Sequence, residues 1–323
     1  MKKKLFAVLA VFAVIAGIGA AVNVLKKEDS QTYKVGICQF TQHKALDAAT
    51  QGFKDALTER LQERVVFDEQ NAQGDYSACT TAVNGLVSAD VDLILANSTA
   101  ALQTAVTSTD KIPILGTSVT EYGAALQLDD FDGTVGGNIS GTSDLAPLDE
   151  QAAMIQELFP EAVRIGLLYC SAEPNSQYQV DVMKKELEAL GYTCALYGFS
   201  DSNDVSSVTI SAASSCDVIY VPTDNTAAAN AELIGNICIP DKVPVITGEE
   251  STCRICGAAT LSIDYYDLGY TTGQMAVRIL SDGEDISTMA VEYAPDAVKR
   301  YNAEICGALG IQIPEDYEPL PAE

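Results

Sequence analysis

Tryptophan is absent from the 323 residues, histidine occurs once, at position 43, and basic side chains number 19 against 45 acidic ones. Each shortage removes a class of function. With a formal net charge of −26 the chain repels phosphate backbones, which excludes nucleic acid as a partner. One histidine cannot complete a tetrahedral zinc site around Cys253-x-x-Cys256, so no metal is expected and the pair reads as a local disulfide or as two thiols. His43 opens an expected helix and reads as a cap or surface residue near a cleft entrance, ahead of a catalytic base. Sugar sites favour aromatic platforms, often tryptophan, which counts against a sugar ligand, although 14 Tyr and 8 Phe could substitute. Low-complexity tracts are also missing, and with 47% hydrophobic residues the chain can build a globular core.

The N-terminus, MKKKLFAVLAVFAVIAGIGAAVNVLKKEDS, places three lysines before an uncharged run from Leu5 to Leu25 and two more after it. That is an export signal, so residues 1–30 read as a signal peptide or an N-terminal membrane anchor. Gly19-Ala20-Ala21 suits cleavage, while the run is long enough to span a bilayer, and both outcomes are open. Either way the folded part is extracytoplasmic: secreted or periplasmic, or anchored to the cell membrane. No cysteine stands where a lipoprotein signal needs one, since Cys38 lies inside the first expected strand. The nine cysteines are an odd number, so pairing leaves at least one over. Cys38 and Cys170 sit in apolar runs, where a thiol packs as a small hydrophobe.

The chain resembles itself. VDLILANSTAALQTA (91–105) aligns with CDVIYVPTDNTAAANA (216–231), KIPILGTS (111–118) with KVPVITGEE (242–250), and YKVGICQF (33–40) with VRIGLLYCS (163–171). In each half, short β-rich runs alternate with helical segments such as 46–61 and 179–191, the pattern of βαβ crossovers and parallel sheets. Two similar α/β lobes follow. Ligands of open parallel sheets bind beyond the carboxyl ends of the strands, and polar residues collect there. The first half offers Gln39, Asn97-Ser98-Thr99 and Thr117-Ser118; the second offers Asn175-Ser176, Thr223-Asp224-Asn225, Glu249-Glu250 and Asp264. An Asp, Ser or Thr before a helix is first of all an N-cap. A helix start also suits a carboxylate and an acid suits an ammonium group, so the two rims together fit a zwitterion, with Asp224 as the ammonium partner.

The series GICQFTQHKALDAATQGF, LILANSTAALQTA, PILGTSV, VPTDNTAAAN and GAATLSIDYYDLGYTTGQMA, spread over residues 33–320, resembles the TrpX-like ABC transporter substrate-binding proteins. The resemblance implies a type I periplasmic-binding-protein fold: two Rossmann-like lobes with parallel sheets joined by a hinge. It implies an uptake receptor with no cofactor and no catalytic residue, binding an amino acid, tryptophan or tyrosine, and handing it to a membrane permease. Ligand groups carried over are Ser98, Thr99, Thr117, Ser118, Asn175, Ser176, Thr223, Asp224 and Asn225, with Asp264 near the hinge; Gln39 and Glu249 join them from the rims. The first lobe would comprise 33–143 and 264–284, the second 144–263 and 285–323, in a monomer. Crossings between lobes would fall near 141–148, 261–265 and 284–290, and the helix 265–280 would return to the first lobe. Two departures stand out: Lys44 replaces the family's proline in His43-Lys44-Ala45-Leu46-Asp47, and the lipoprotein cysteine is missing.

Other classes share parts of the pattern. VPTDNTA also resembles the Cys-Asn-Thr stretch of two-lobed amino-acid racemases, but Asp224 and Ser98 stand where the two thiols would act. An anchored sensor domain that reports to a membrane partner would share every pocket feature with a transport receptor.

Overall fold

The computed structural model describes residues 31–293 and 297–321, so the segment 1–30 read as an export signal lies outside the described residues. The order of elements is the alternation expected. In the first half, β1 (Tyr33–Gln39), α1 (Lys44–Leu61), β2 (Val65–Asn71), α2 (Tyr76–Ser88), β3 (Leu93–Asn97), α3 (Thr99–Ser108), β4 (Ile114–Val119), the short α4 (Tyr122–Leu126) and β5 (Ile139–Ser143) follow one another. The second half runs α5 (Leu148–Leu158), β6 (Arg164–Cys170), α6 (Pro174–Ala189), β7 (Thr193–Phe199), α7 (Val205–Ala213), β8 (Val218–Val221), α8 (Asn225–Ala229), α9 (Ala231–Cys238), β9 (Val245–Thr247), α10 (Glu250–Cys256) and β10 (Ala259–Ser262). The chain then forms α11 (Tyr265–Leu280), β11 (Glu292–Tyr293), β12 (Val298–Tyr301), α12 (Ala303–Leu309) and β13 (Glu318–Pro319).

The strands make two sheets, ordered β11-β5-β4-β3-β1-β2 and β13-β12-β10-β9-β8-β6-β7. Every pairing in the first is parallel; in the second, β12 runs antiparallel to β10. Central strands such as β3 and β8 are buried along their whole length, which is why they read as continuous apolar runs.

The internal repeat reappears as matching hydrogen bonds. The Asp92 carboxylate accepts from the Lys34 amide at 2.7 Å, and its counterpart Asp217 accepts from Val163 and Arg164, both at 2.8 Å. Those backbone donors hold the Asp217 carboxyl below its usual range. The carbonyls of Pro113 and Pro244 accept from Ile94 and Ile219, both at 2.9 Å. Each pair locks the entry of one strand to its neighbour in the same way in both sheets.

The helix α11 packs on α1 in the first lobe, as expected, and glycines set how closely. A Cβ on Gly269 would lie 1.9 Å from the Ala49 carbonyl oxygen, and one on Gly52 would lie 2.1 Å from that of Tyr266. On the outer face Tyr266 Oη donates to Asp55 at 3.0 Å and Tyr270 Oη to Glu59 at 2.6 Å, fixing the register of the pair.

The chain passes from β5 of the first sheet to α5 and from β10 of the second sheet to α11. The crossing expected near 284–290 is displaced. Glu292 and Tyr293 pair with Thr142 and Ser143 of the first sheet, and Met289 and Val291 are buried in first-lobe cores, so no crossing falls within 284–290. The segment 285–293 therefore belongs with the first lobe, contrary to the assignment of 285–323 to the second. Among the described residues all nine cysteines are free thiols; Cys253 and Cys256 sit buried on α10, where burial pushes both thiols up.

Candidate functional site

The two lobes touch across a cleft at the carboxyl ends of the sheets. Contacts span it directly: His43 Nε2 lies 3.3 Å from Asn225 Oδ1, and Tyr76 Oη donates to the Ala172 carbonyl at 3.3 Å. Between the lobes His43, Ser118, Thr120, Asp144, Asn175, Thr223, Asp224, Glu249 and Tyr265 line a cavity of about 10 Å³, close to the minimum for one water. Asn225 also lines a neighbouring part of the cleft of about 360 Å³, where Phe40 and Tyr76 meet with ring centroids 5.0 Å apart, opposite Cys170, Glu173 and Thr226.

Buried polar atoms are almost always paired. Three atoms of the small cavity's lining are not: His43 Nδ1, Ser118 Oγ and Asp144 Oδ1. Ser118, the penultimate residue of β4, has φ +54°, a left-handed conformation that a side-chain-bearing residue rarely holds and that tends to mark functional sites. This turn swings its hydroxyl out of the strand pleat. Asp144 follows β5, its amide donating to the Val119 carbonyl at 3.2 Å, and its Oδ2 accepts the Tyr265 hydroxyl at 2.8 Å. That bond ties the first crossing to the second. Burial raises the Asp144 carboxyl above its usual range, opposed by the Tyr265 hydrogen bond.

Asp224 is the N-cap of α8: Oδ1 accepts from the Ala227 amide at 2.7 Å, and Oδ2 accepts from the Cys170 amide at 2.6 Å. It is buried, and desolvation, then the neighbouring Glu173 charge, push its carboxyl up to about 7. Glu173 was not foreseen. This buried acid accepts from the Asn225 amide at 3.0 Å and its side chain at 2.8 Å, and from the Thr226 amide at 2.9 Å and its hydroxyl at 2.7 Å. The helix start that sequence reasoning offered to a ligand's carboxylate is thus filled by the protein's own. Sequence carried a weak signal, an acid directly before the Pro174 that begins α6, but nothing in it points to α8.

In the first lobe Ser98 caps α3 through the Ala101 amide at 3.1 Å. The amides of Thr99 and Ala100 then have no acceptor within their own helix. Ser98 adjoins Ser118 through its amide bond to the Thr117 carbonyl at 3.1 Å.

Of the residues expected at the site, Ser118, Asn175, Thr223, Asp224, Asn225 and Glu249 line the small cavity. Glu249 caps α10 and its oxygens are taken by Ser251 and Thr252, through both amides and both hydroxyls. Ser98, Thr99 and Ser176 are buried at helix starts just behind it. Three are turned elsewhere. Gln39 donates to Asp47 at 2.7 Å and accepts from Thr50 at 2.7 Å inside the first lobe. Thr117 joins a buried hydroxyl cluster, 3.3 Å from Thr142 Oγ1 and 3.1 Å from Thr272 Oγ1. Asp264 is exposed and caps α11 through the Tyr266 and Asp267 amides. A polar residue at a strand end can face down into its own lobe or out to solvent as well as across the cleft: Gln39 and Thr117 turn into the first lobe and Asp264 faces solvent. Asp144, Thr120, Leu46, Ala228 and Tyr265 complete the lining with His43, which is both the residue before α1 and a cavity wall.

Two duplicated α/β lobes closed on a polar cavity, crossed by the chain three times, define a solute receptor with the type I periplasmic-binding-protein fold. Residues 34–323 match the family described as ABC transporter substrate binding protein, and the chain belongs to that family. It is 33% identical over 296 residues, 90% of this chain and 85% of the relative, to a tyrosine-binding protein of Clostridioides difficile strain R20291. The structure resembles that of an ABC domain from Streptococcus pneumonia in complex with L-Trp, with TM-score 0.84 and 31% identity over 88% of this chain and 97% of that one. It also resembles the ligand-free, open structure of a Clostridium difficile substrate-binding protein with adhesive properties, with TM-score 0.69 and 36% identity over 90% and 100%. Substrate-binding proteins of ABC transporters work outside the cytoplasm and serve a membrane permease. Among the described residues no helix is long and apolar enough to cross a membrane.

Proposed function

We propose that this chain captures a free aromatic amino acid, tyrosine or tryptophan, between its lobes and presents it to an ABC permease as a monomer, without chemistry of its own. The observation that carries the reading is the convergence of three unpaired buried polar atoms, on His43, Ser118 and Asp144, in one interlobe cavity. A zwitterion supplies both kinds of partner they need. Its carboxylate suits the Ser118 hydroxyl and the α3 amides behind it, and its ring suits the wider part of the cleft beside Phe40 and Tyr76.

The lobe arrangement supports a capture cycle. The fit to the L-Trp complex, TM-score 0.84, exceeds the fit to the ligand-free open relative, 0.69, although sequence identity runs the other way at 31% against 36%. Together with the cross-cleft contacts, this supports reading the arrangement as a closed form. A cavity of about 10 Å³ has room for one water at most, so an amino acid enters only when the lobes part, and they close again on it with a wider gap than this arrangement has. A thermal-shift screen of the exported part, from about residue 30 onward, against the amino acids and simple sugars tests the reading. Tyrosine or tryptophan should stabilise it by ~2.7 kcal/mol at 100 times Kd. Stabilisation by sugars alone would refute it.

A further inference from the structure

Three carboxylates line the small cavity, Asp144, Asp224 and Glu249, and no lysine or arginine does. Two of the three are spoken for. Both Glu249 oxygens accept from the first turn of α10, and the two Asp224 oxygens accept from the Ala227 and Cys170 amides. Asp144 differs. It is 2% exposed, Oδ2 takes the Tyr265 hydroxyl, the Thr120 hydroxyl and its own amide lie near enough to favour the charged form, and Oδ1 has no donor within hydrogen-bond geometry among the described residues. A buried carboxylate with an empty oxygen and no lysine or arginine on the cavity wall is the costliest of the three to keep ionised, and gains most from an incoming positive charge. From this geometry, and resting on the amino-acid reading above, we propose that Asp144 receives the ligand's ammonium group, not Asp224, Glu249 or Asp264.

The position gives the contact a second consequence. Asp144 lies on the first crossing and is bonded to Tyr265 at the start of α11, just after the second crossing. The ligand's amine would therefore bind the hinge itself, whereas its carboxylate binds the first-lobe rim at Ser118. A ligand lacking the amine would satisfy the rim and leave the hinge acid bare.

The test compares tyrosine and tryptophan with their desamino acids, 3-(4-hydroxyphenyl)propionate and indole-3-propionate, by calorimetry on wild type, Asp144→Asn and Asp224→Asn. A charge-assisted bond corresponds to about 10- to 100-fold in affinity. Wild type should prefer each amino acid over its desamino analogue by at least that factor. Asp144→Asn should lose the preference by weakening amino-acid binding alone, with desamino affinity unchanged within about threefold, and Asp224→Asn should keep it. Equal wild-type affinity for amino and desamino ligands overturns the proposal without any variant, so a poorly folding Asp144→Asn does not shield it. A preference kept in Asp144→Asn and lost in Asp224→Asn returns the ammonium to Asp224. If wild type binds no amino acid at all, the underlying reading falls, and that outcome is distinct from a misassigned acid.

Discussion

Replacing Glu173 with glutamine should destabilise the ligand-free protein while sparing its ligand affinity. The carboxylate accepts on both oxygens: Oε2 from the Asn225 amide and side chain, Oε1 from the Thr226 amide and hydroxyl. Glutamine keeps one acceptor oxygen and turns an NH₂ group toward the other pair. The Thr226 hydroxyl can rotate to accept from that NH₂ group, but a backbone N–H cannot, so one buried amide of α8 loses its acceptor. Leaving such a group unsatisfied costs about 1–3 kcal/mol. For an m-value of about 3 kcal/mol/M, the urea midpoint followed by far-ultraviolet circular dichroism should fall by roughly 0.3–1 M. A titration with tyrosine under native conditions should then give an affinity close to wild type, because those amides point at Glu173 and not into the small cavity. An unchanged midpoint with a tenfold or greater loss of affinity would refute the reasoning and return the α8 start to the ligand's carboxylate.

Asp224 should make the ligand-free fold sensitive to pH: its folded value, about 7, exceeds the ordinary 3.8, so its contribution to stability is fully present below 3.8 and lost as pH rises through about 7. Melting temperatures of wild type and Asp224→Asn between pH 5 and 8 should show a slope that the variant flattens, and parallel slopes would assign the effect to other groups. Small-angle scattering should give a smaller radius of gyration with saturating tyrosine than without, since the closed arrangement described here needs cross-cleft contacts that ligand reinforces; identical curves would count against capture by closure. Gly269→Ala forces a methyl group to within 1.9 Å of the Ala49 carbonyl oxygen, and should lower stability by about 1–3 kcal/mol or more in the same urea assay.

The strands and their order within each lobe could be read from runs such as LILAN and VIYV, because a parallel strand buried on both faces has no room for polar alternation. The same logic located the rims, and six expected residues line the cavity. What failed was direction. Gln39, Thr117 and Asp264 satisfy the rule of position and face their own lobe or solvent, decided by neighbours such as Thr50 and Thr272 that are distant in sequence. Asp144 escaped notice because it follows IleSerGlyThrSer, a strand with little apolar signature, and its meaning comes from Tyr265, far along the chain. The third crossing was misplaced for a related reason: β11 is two residues long and carries no periodicity to read.

The glycine contact between α1 and α11 has a mechanical meaning for capture. Backbone against backbone, with Tyr266 and Tyr270 bolted to Asp55 and Glu59, the two helices cannot slide. At the cleft end this beam carries His43 just before α1, Leu46 in its first turn, and Tyr265 at the head of α11. A helix of 18 residues is about 27 Å long at 1.5 Å per residue. A tilt of about 5° imposed at the cleft therefore displaces the far end by roughly 2 Å over that length. The pair therefore moves as one piece, and a displacement at the cleft end is carried to the far end of α1 without slippage between the two helices.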